Sequence, residues 1–311
     1  MILCILGPTA SGKTDLSIQL ALHFNGEVVS CDSMQIYRGM DIGTAKPTIN
    51  ERKGIPHHMI DVVEPYEPYS AAQYGMQAAI CIDKILKKGK LPIICGGTGL
   101  YLNALLYGMH KAGECVYDVR EELTERAERE GLSSLYAELS KVDPVSASHI
   151  NQNDKRRIIR ALEVYRVTGI SLSQHHEFSK SSSPKYDALQ LCIHFTNRTV
   201  LYDRIDQRVD IMMAAGLFDE VRSVLEHQPP PCYTAMQAIG YKEFAAVLRG
   251  ETTVEKAVVQ IKQSTRRLAK RQITWFRKSD NIRWLETSGA NQVPSLLDQA
   301  ITIMKQAELV K

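Results

Sequence analysis

The first residues of the chain place a glycine-rich turn between a strand and a helix, and this order constrains the fold more than any other feature. Residues 2–6 are all apolar, which is typical of a short strand inside a sheet. Residues 7–14 read Gly-Pro-Thr-Ala-Ser-Gly-Lys-Thr, and residues 15–24 have the spacing of an amphipathic helix. A strand, such a turn and a helix in succession form a phosphate-binding loop, which predicts an α/β protein with a parallel sheet.

The chemistry of this turn suits a polyphosphate, although it does not say which one. Gly7 and Gly12 let the backbone curl so that successive N–H groups point inward, and the following helix adds the positive end of its dipole. Lys13 supplies a positive charge, and the Thr14 hydroxyl is placed to hold Mg²⁺. The residues predicted to surround the phosphates are Gly7, Pro8, Thr9, Ala10, Ser11, Gly12, Lys13 and Thr14.

Two further strand ends carry polar residues that belong beside this loop. Asp32 follows a predicted strand at 27–30, and the carboxyl ends of parallel strands meet at one edge of a sheet. We interpret Asp32 as a catalytic carboxylate, although a helix cap or an Mg²⁺ ligand would also place an aspartate there. A second glycine-rich turn, 96–99, follows a predicted strand at 91–95 and brings Thr98 toward the same site. A tight strand-to-helix connection is the alternative for this turn.

The composition excludes several other classes of protein. The seven cysteines are scattered without a Cys-x-x-Cys pair, which argues against a zinc module or a disulfide framework and favours a reducing compartment. The sequence shows no signal peptide, and no apolar run approaches the length of a membrane span. We therefore expect a cytoplasmic protein without membrane contact. The net charge of +3 is modest, so a nucleic-acid surface must come from local clustering of basic residues.

The region from 108 to 187 contains only helical patterns, whereas strand patterns occur on both sides of it. Charged helices are predicted at 118–130, 133–140 and 154–168, and a flexible connector is predicted at 178–187. A strand at 189–195 then returns to the sheet. We predict an α/β fold with a P-loop NTPase-like parallel sheet core, an inserted all-helical domain and a helical C-terminal region. The predicted domains are 1–107, 108–187 and 188–311.

Basic residues cluster at two places. Lys155, Arg156, Arg157 and Arg160 crowd the start of a predicted helix, where positive charge opposes the helix dipole and indicates an anionic partner. Residues 262–278 contain seven basic residues and no acid, whereas a solvated face usually mixes both signs. We interpret this second segment as a contact surface for an RNA backbone. A solvated face is the alternative for both clusters.

The predicted helix 197–214 carries aspartates interleaved with arginines, namely Asp203, Asp206 and Asp210 with Arg204 and Arg208. Aspartates at this spacing could hold Mg²⁺ for an allylic diphosphate, but ion pairs along the same helix are the simpler interpretation. An arginine that faces the phosphate loop could instead clamp a diphosphate.

A set of short segments extends over nearly the whole chain in a fixed order. Besides the loop at 7–14, they are Cys-Asp-Ser-Met-Gln-Ile-Tyr-Arg at 31–38, Gly-Thr-Ala-Lys-Pro at 43–47, Gly-Gly-Thr-Gly-Leu-Tyr at 96–101, Arg-Ala-Leu-Glu-Val-Tyr at 160–165, Ala-Ile-Gly-Tyr-Lys-Glu-Phe at 238–244, Thr-Arg-Arg-Leu-Ala-Lys-Arg-Gln at 265–272 and Trp-Phe at 275–276. In these segments the chain resembles the family of bacterial tRNA dimethylallyltransferases.

The resemblance implies a transferase. In this family a dimethylallyl group passes from dimethylallyl diphosphate to the exocyclic N6 amine of the adenosine next to the anticodon, on its 3′ side, in tRNA. The phosphate loop then holds the diphosphate of the donor through Thr9 and Thr14, with Mg²⁺ on Thr14. Asp32 would be the general base, Thr98 would position the adenine and Arg208 would clamp the diphosphate.

The resemblance also implies the partners. They are the tRNA anticodon stem-loop and dimethylallyl diphosphate, and we expect the chain to act as a monomer. The target base must leave its stack to reach Asp32. The residues expected to contact tRNA are Asp32, Ser33, Met34 and Gln35 at the base, and Arg120, Arg156, Arg157, Arg160, Gly240, Lys242, Arg266, Arg267, Lys270 and Arg271 elsewhere.

Three other functions share some of these features. A small-molecule or nucleotide kinase would also use the phosphate loop and a nearby aspartate, but it leaves the basic C-terminal helix unexplained. An isopentenyltransferase of free adenine nucleotides would not need a helical insertion together with a basic helix. A non-enzymatic RNA-binding module would have no need for Lys13 and Thr14.

Overall fold

The computed structural model of the chain describes residues 1–108, 117–180, 183–289 and 292–309. The chain divides into two compact units. The first unit combines Met1–Leu105 with Tyr186–Lys311, and the second unit is Leu106–Lys185. The insertion predicted from the sequence, 108–187, has bounds that lie two residues further along the chain at each end.

A six-stranded sheet forms the centre of the first unit. Its strands are β1 (Ile2–Leu6), β2 (Gly26–Cys31), β3 (His57–His58), β4 (Leu91–Gly96), β5 (Ala188–Phe195) and β6 (Ile282–Thr287). They are ordered β3-β2-β4-β1-β5-β6, and each neighbouring pair is parallel. This topology confirms the predicted α/β fold with a parallel sheet core.

Helices make up most of the rest of the described chain. They are α1 (Lys13–His23), α2 (Ala71–Lys87), α3 (Gly99–Tyr107), α4 (Tyr117–Arg129), α5 (Leu132–Val142), α6 (Pro144–His149), α7 (Lys155–Thr168), α8 (Leu172–Lys180), α9 (Arg198–Ala214), α10 (Leu217–Glu226), α11 (Tyr233–Met236), α12 (Tyr241–Leu248), α13 (Val254–Phe276) and α14 (Gln292–Gln306). Within the described ranges, none of these helices combines the length and apolar character that crossing a bilayer requires.

The central strands are buried on both faces, which explains their nearly uninterrupted apolar sequences. All five residues of β1 are buried. Leu3 and Ile5 of this strand lie in one core with Leu16 and Leu20 of α1 and with Leu191 of β5. Removal of this apolar surface from water is the main favourable contribution to the folding of the unit.

The register of the central strands brings three loops together. β1 pairs with β4 as far as Leu6 and Gly96, and β2 pairs with β4 as far as Cys31 and Gly96. The chain therefore leaves these three strands at the same edge of the sheet, where parallel sheets bind their ligands. This edge carries the phosphate loop, Asp32 and the second glycine-rich turn.

Several elements differ from the sequence prediction. Strand β6 is not predicted from the sequence; it lies at one edge of the sheet, and three of its six residues are buried. Strand β3 is also not predicted, because only two residues pair with β2 at the opposite edge. The predicted connector at 178–187 is wrong at its start, since α8 continues to Lys180, and residues 181–182 lie outside the described residues. The short helices α6, α11 and α12 are not predicted either.

The second unit has its own hydrophobic core, built from α4, α5 and α7. The buried side chains in it include Leu123, Leu135, Leu139, Ile158 and Leu162. At the base of the unit, the N–H of Lys185 donates to the carbonyl oxygen of Leu106 at 2.6 Å. The two ends of the unit therefore meet.

A buried carboxylate joins three basic side chains at the start of β2. Glu27 is 1% exposed and accepts hydrogen bonds from Lys90 Nζ (2.9 Å), His58 Nε2 (2.8 Å) and Lys88 Nζ (3.1 Å). Burial by itself would raise the pKa of Glu27, but the three hydrogen bonds outweigh burial and lower this pKa to about 2. The folded chain therefore favours the ionised carboxylate.

Replacement of Glu27 by glutamine is expected to lower the free energy of unfolding at neutral pH by about 1–3 kcal/mol. The folded pKa of about 2 lies below the ordinary value of 4.5, so the contribution is present above 4.5 and is lost as the pH falls toward 2. In urea unfolding, the difference between wild type and Glu27→Gln should therefore stay constant above about pH 5 and shrink as the pH falls from about 4.5 toward 2. Glu286→Gln, at an exposed position of β6, is the control. A difference that stays constant with pH would contradict this assignment.

Candidate active site

A cavity of about 160 Å³ opens at the carboxyl edge of the sheet. Its walls come mainly from the phosphate loop, the turn after β2, the loop at 43–47, α9 and α13. The predicted site residues in its lining are Thr9, Lys13, Thr14, Asp32, Met34, Gln35 and Arg208. The fold thus brings residues from three distant parts of the sequence to one cavity.

The phosphate loop has a tightly curled backbone. Ala10 (φ 60°) and Gly12 (φ 85°) lie in the left-handed region, and Gly12 is the N-cap of α1. Lys13 Nζ donates to the carbonyl oxygen of Pro8 at 2.6 Å, so the lysine folds back over its own loop. Burial lowers the pKa of Lys13. A phosphate anion beside this lysine would stabilise its charged form.

Asp32 begins the turn that follows β2. Its Oδ1 atom accepts the N–H of Met34 at 2.9 Å, which makes an Asx turn instead of the helix cap that the sequence left open. In the part of the chain that the structure describes, no donor contacts Oδ2, so this oxygen is available to accept a proton. The charge of Asp32 raises the pKa of both Lys13 and Arg208, although burial has the larger effect on each. The carboxylate therefore shares the cavity with two cations.

Thr98 is held against the same turn. Its N–H donates to the carbonyl oxygen of Cys31 at 3.1 Å, and its hydroxyl oxygen accepts the N–H of Ser33 at 3.1 Å. Gly96 makes this approach possible, because a Cβ atom there would collide with the Cys31 carbonyl oxygen. Thr98 and Ser33 lie beside the cavity and are not part of its lining. Thr98 thus supports the Asp32 turn, and its direct contact with an adenine stays a prediction.

Helix α9 brings two arginines to the phosphate loop. Arg204 Nε donates to the carbonyl oxygen of Ala10 at 3.1 Å, and Arg208 lines the cavity. Burial lowers the pKa of Arg208, whereas the nearby Asp32 carboxylate opposes this effect. Arg204 therefore stabilises the loop itself, and Arg208 is placed to meet an anion inside the cavity.

The ion pairs predicted along α9 are wrong. Asp206 pairs with Arg266 at 2.5 Å and Asp210 pairs with Lys262 at 2.6 Å, and both basic residues belong to α13. Because α9 packs against α13, these aspartates meet basic side chains of the neighbouring helix. Two of the seven basic residues at 262–278 are therefore neutralised within the protein. No cluster of three or more His, Cys, Asp or Glu side chains suited to a metal ion occurs among the described residues.

Glu220, which was not predicted from the sequence, holds the loop that forms one wall of the cavity. From α10 its carboxylate accepts the N–H groups of Asp41 (2.9 Å), Ile42 (2.7 Å) and Gly43 (2.9 Å) and the hydroxyl of Tyr241 (2.5 Å). A Cβ atom at Gly43 would lie 2.5 Å from the Tyr241 ring, so the loop and the ring are in close contact. The cavity residues that follow in this loop are Thr44, Ala45 and Pro47.

The residues of the second unit that are predicted to contact tRNA differ in their surroundings. Arg156 and Arg157 are exposed at the start of α7. Arg120 and Arg160 both contact the buried carboxylate of Glu163, at 2.7 Å and 3.1 Å. Contact with an RNA phosphate by either of these two arginines would therefore compete with an existing ion pair.

In the first unit, the predicted tRNA contacts lie mainly on α13. Arg267, Lys270 and Arg271 are exposed, and the described residues provide no acidic partner for any of them. Gly240 precedes α12 with a φ of 99°, and Lys242 is exposed in the first turn of that helix. The exposed basic residues of α13 therefore form a continuous cationic surface, from which Arg266 is excluded by its pair with Asp206.

Comparison with known proteins connects this geometry to a family. A family model described as IPP transferase matches residues 35–279, and one described as isopentenyl transferase matches residues 1–62. The tRNA dimethylallyltransferase of Caldanaerobacter subterraneus is 50% identical over 285 residues, which cover 91% of this chain and 90% of that protein. This chain belongs to the tRNA dimethylallyltransferase family.

Solved structures of related transferases have the same fold. A tRNA isopentenylpyrophosphate transferase from Staphylococcus epidermidis is 42% identical, with a TM-score of 0.70. The match covers 98% of this chain and 99% of that one. A eukaryotic dimethylallyltransferase acting on tRNA is 30% identical, with a TM-score of 0.82, and the match covers 99% of this chain and 79% of that one. These findings confirm the family and the transferase class predicted from the motifs, and they support neither the kinase nor the free-nucleotide enzyme.

Glu220→Gln is expected to lower the free energy of unfolding by about 1–3 kcal/mol, because the amide keeps one acceptor and turns an NH₂ donor toward backbone N–H groups. The N–H groups at 41–43 should then exchange with deuterated water faster than in wild type, as measured by mass spectrometry. Asp219→Asn is the matched control, since Asp219 is the preceding residue and pairs with the half-exposed Arg222 at 3.3 Å. Unchanged exchange at 41–43 in Glu220→Gln would show that the carboxylate does not hold this loop.

Proposed function

We propose that this chain transfers a dimethylallyl group from dimethylallyl diphosphate to the N6 amine of the adenosine 3′ to the anticodon in tRNA, with release of diphosphate. The observation that carries the proposal is one cavity in which the phosphate loop, Asp32 and Arg208 meet an apolar wall. The names of the related proteins support it, because they are transferases of dimethylallyl or isopentenyl groups and act on tRNA.

One end of the cavity suits the diphosphate of the donor. The curled phosphate loop and the start of α1 provide backbone N–H groups, and Lys13 and Arg208 provide two positive charges. As the bond between the donor carbon and diphosphate breaks, negative charge develops on the leaving oxygen, and these groups stabilise it. Lys13 would exchange its hydrogen bond to Pro8 for one to a phosphate oxygen.

Mg²⁺ fits this end of the cavity with few protein ligands. Mg²⁺ in phosphate sites usually keeps several waters and binds through substrate oxygens. Thr14 lines the cavity next to Lys13, so its hydroxyl, the diphosphate oxygens and water would hold the ion. When bound, it would neutralise part of the charge of the leaving diphosphate.

Apolar side chains line the remainder of the cavity, where the prenyl group would lie. They are Ile205, Val209, Met212, Leu217, Ile239, Ile261 and Leu268. A dimethylallyl group is apolar apart from its diphosphate, so this wall matches its chemistry. The wall also keeps water away from the reacting carbon, where water would otherwise compete with the amine.

Asp32 would act on the acceptor. The N6 amine of adenine is a weak nucleophile, because its lone pair is delocalised into the ring. N6 attacks the first carbon of the donor, the bond from that carbon to the diphosphate oxygen breaks, and the proton lost by N6 passes to Asp32 Oδ2. The adenine must leave its stack to enter the cavity, and unstacked loop bases are the usual targets of sequence-specific RNA recognition.

The first experiment is a transfer assay with labelled dimethylallyl diphosphate and Mg²⁺. Unmodified bulk tRNA and free AMP serve as alternative acceptors, each with and without ATP. Label is expected in tRNA without ATP, and no label is expected in AMP. Label in AMP alone would replace the proposal by a free-nucleotide enzyme, and labelling that requires ATP would favour a kinase-like use of the loop.

Asp32→Asn tests the proposed base in the same assay. The amide cannot accept the proton, so kcat is expected to fall by about 10²- to 10⁴-fold. The dissociation constant for tRNA should change by less than about threefold, because the substitution conserves shape. Asp298→Asn, at an exposed position of α14, is the control. Equal losses of tRNA binding and of transfer would contradict the role of Asp32 as a base.

The exposed basic surface of α13 suits the backbone of the tRNA. Arg267, Lys270 and Arg271 have exposed side chains, and Arg277 and Lys278 extend the same charge beyond the end of the helix. Contacts between such residues and phosphates release counterions, so binding weakens as salt increases.

Removal of Arg267, Lys270 and Arg271 by alanine substitution is expected to weaken tRNA binding and to reduce the slope of log Kd against log salt by about 2–3. The KM for dimethylallyl diphosphate should not change. The matched control replaces three other exposed lysines, Lys84, Lys87 and Lys305. A salt slope that is the same in both triple variants would remove α13 from the proposed tRNA surface.

A further inference from the structure

Gln272 of α13 contacts two loops of the cavity with one side chain. Its Oε1 atom accepts the N–H of Thr9 at 2.9 Å, and its Nε2 atom donates to the carbonyl oxygen of Gly97 at 3.1 Å. Thr9 belongs to the phosphate loop and Gly97 to the second glycine-rich turn. Gln272 also lines the cavity, so this bridge lies at the site and not at the periphery of the sheet.

The bridge begins where the sheet ends. The last paired residues of β1 and β4 are Leu6 and Gly96, and beyond them the two strands are no longer joined through the sheet. Gly97 is the residue after Gly96, and Thr9 is the third residue after Leu6. The carboxamide of Gln272 has an acceptor oxygen and a donor NH₂ group, and it uses them on a backbone N–H from one loop and a backbone C=O from the other. The Gln272 side chain therefore links the two loops beyond the point where β1 and β4 stop pairing.

Side chains of α13 pack closely against the backbone on both sides of this bridge. A Cβ atom at Gly97 would collide with Gln272 Nε2, and a Cβ atom at Gly99 would collide with the indole of Trp275, one turn further along α13. Two side chains of α13 therefore lie against the backbone of the second glycine-rich turn, in the space that a Cβ atom at Gly97 or Gly99 would take.

The bridge extends through Thr98 to Asp32. Thr98 directly follows Gly97, and it bonds to Cys31 and Ser33 on either side of Asp32, at 3.1 Å in each case. Hydrogen bonds and the peptide link between Gly97 and Thr98 thus connect the phosphate loop, through Gln272 and the second glycine-rich turn, to the turn that carries the carboxylate.

We propose that Gln272 is a positioning residue for the transfer reaction, which fixes the phosphate loop at the distance from the Asp32 turn that the reaction requires. The inference rests on the proposed function, in which the phosphate loop holds the donor and Asp32 takes the proton from the acceptor. Gln272 acts through Thr9 and Gly97 and contacts no reacting atom. A displacement of about 1 Å between bound groups can cost about 10²-fold in rate, so a bridge of this kind affects kcat more than affinity.

Gln272→Met tests the bridge, because methionine has a similar length and removes both hydrogen bonds. We expect kcat to fall by about 10- to 100-fold. The Kd for tRNA and the KM for dimethylallyl diphosphate should stay within about threefold of the wild-type values. Gln263→Met, the same substitution at an exposed position of the same helix, is the matched control and should retain wild-type kcat.

Gln272→Glu provides a readout that a purely structural role would not change. The ionised glutamate can still accept the N–H of Thr9. Its second oxygen has no proton to donate and faces the carbonyl oxygen of Gly97, so that hydrogen bond is lost. The protonated acid restores a donor, so both hydrogen bonds of Gln272 become possible again. The ratio of the kcat of Gln272→Glu to that of wild type should therefore rise as the pH falls from about 8 to about 5. A ratio that is flat or falls over this range would overturn the proposal.

The remaining outcomes are also decisive. Unchanged kcat per folded molecule in Gln272→Met would overturn the proposal, as would a higher KM for dimethylallyl diphosphate with wild-type kcat. Thermal melting of both methionine variants gives the folded fraction. A wild-type protein that transfers no label to tRNA would instead refute the proposed function, so the two failures are distinct.

Discussion

The contact of backbone with backbone at Gly96 is the constraint on which the site depends. At this point the chain leaving β4 lies against the carbonyl oxygen of Cys31, and no side chain fits between them. Two residues further along, Thr98 bonds to the residues on both sides of Asp32. Gly97 and Gly99 instead leave room for two side chains of α13, Gln272 and Trp275. The second glycine-rich turn therefore lets parts of the protein come into contact, whereas Gly7 and Gly12 of the phosphate loop let its backbone curl.

The parts of the site that could be predicted from the sequence are those with a local signal. The phosphate loop, Asp32 and Thr98 each lie within a few residues of an apolar strand, and strands in a parallel sheet end at one edge. Strand β6 gives a weaker signal, because an edge strand is only half buried and its apolar residues alternate with Arg283 and Glu286. The order of the strands has no local signal at all, since it depends on how helices cover both faces of the sheet.

The residues that sequence reasoning misses are those that act across long distances in the chain. Glu220 has the appearance of a surface acid on an amphipathic helix, yet it accepts three N–H groups from a loop nearly two hundred residues earlier. The aspartates of α9 are spaced for pairs within their helix, but packing against α13 gives them other partners. Gln272 lies in a basic segment whose charge suggests only a surface. In each case the partner is set by tertiary packing, which no spacing along the chain records.

The hydrogen bond between Lys185 and Leu106 closes the second unit at its base. The chain enters and leaves this unit at neighbouring positions. The distance between these two positions therefore does not depend on how many residues the unit contains or on how they fold. A change of length inside the unit therefore need not alter the register of β4, β1 and β5, which makes the interior of the unit a suitable place for insertions and deletions.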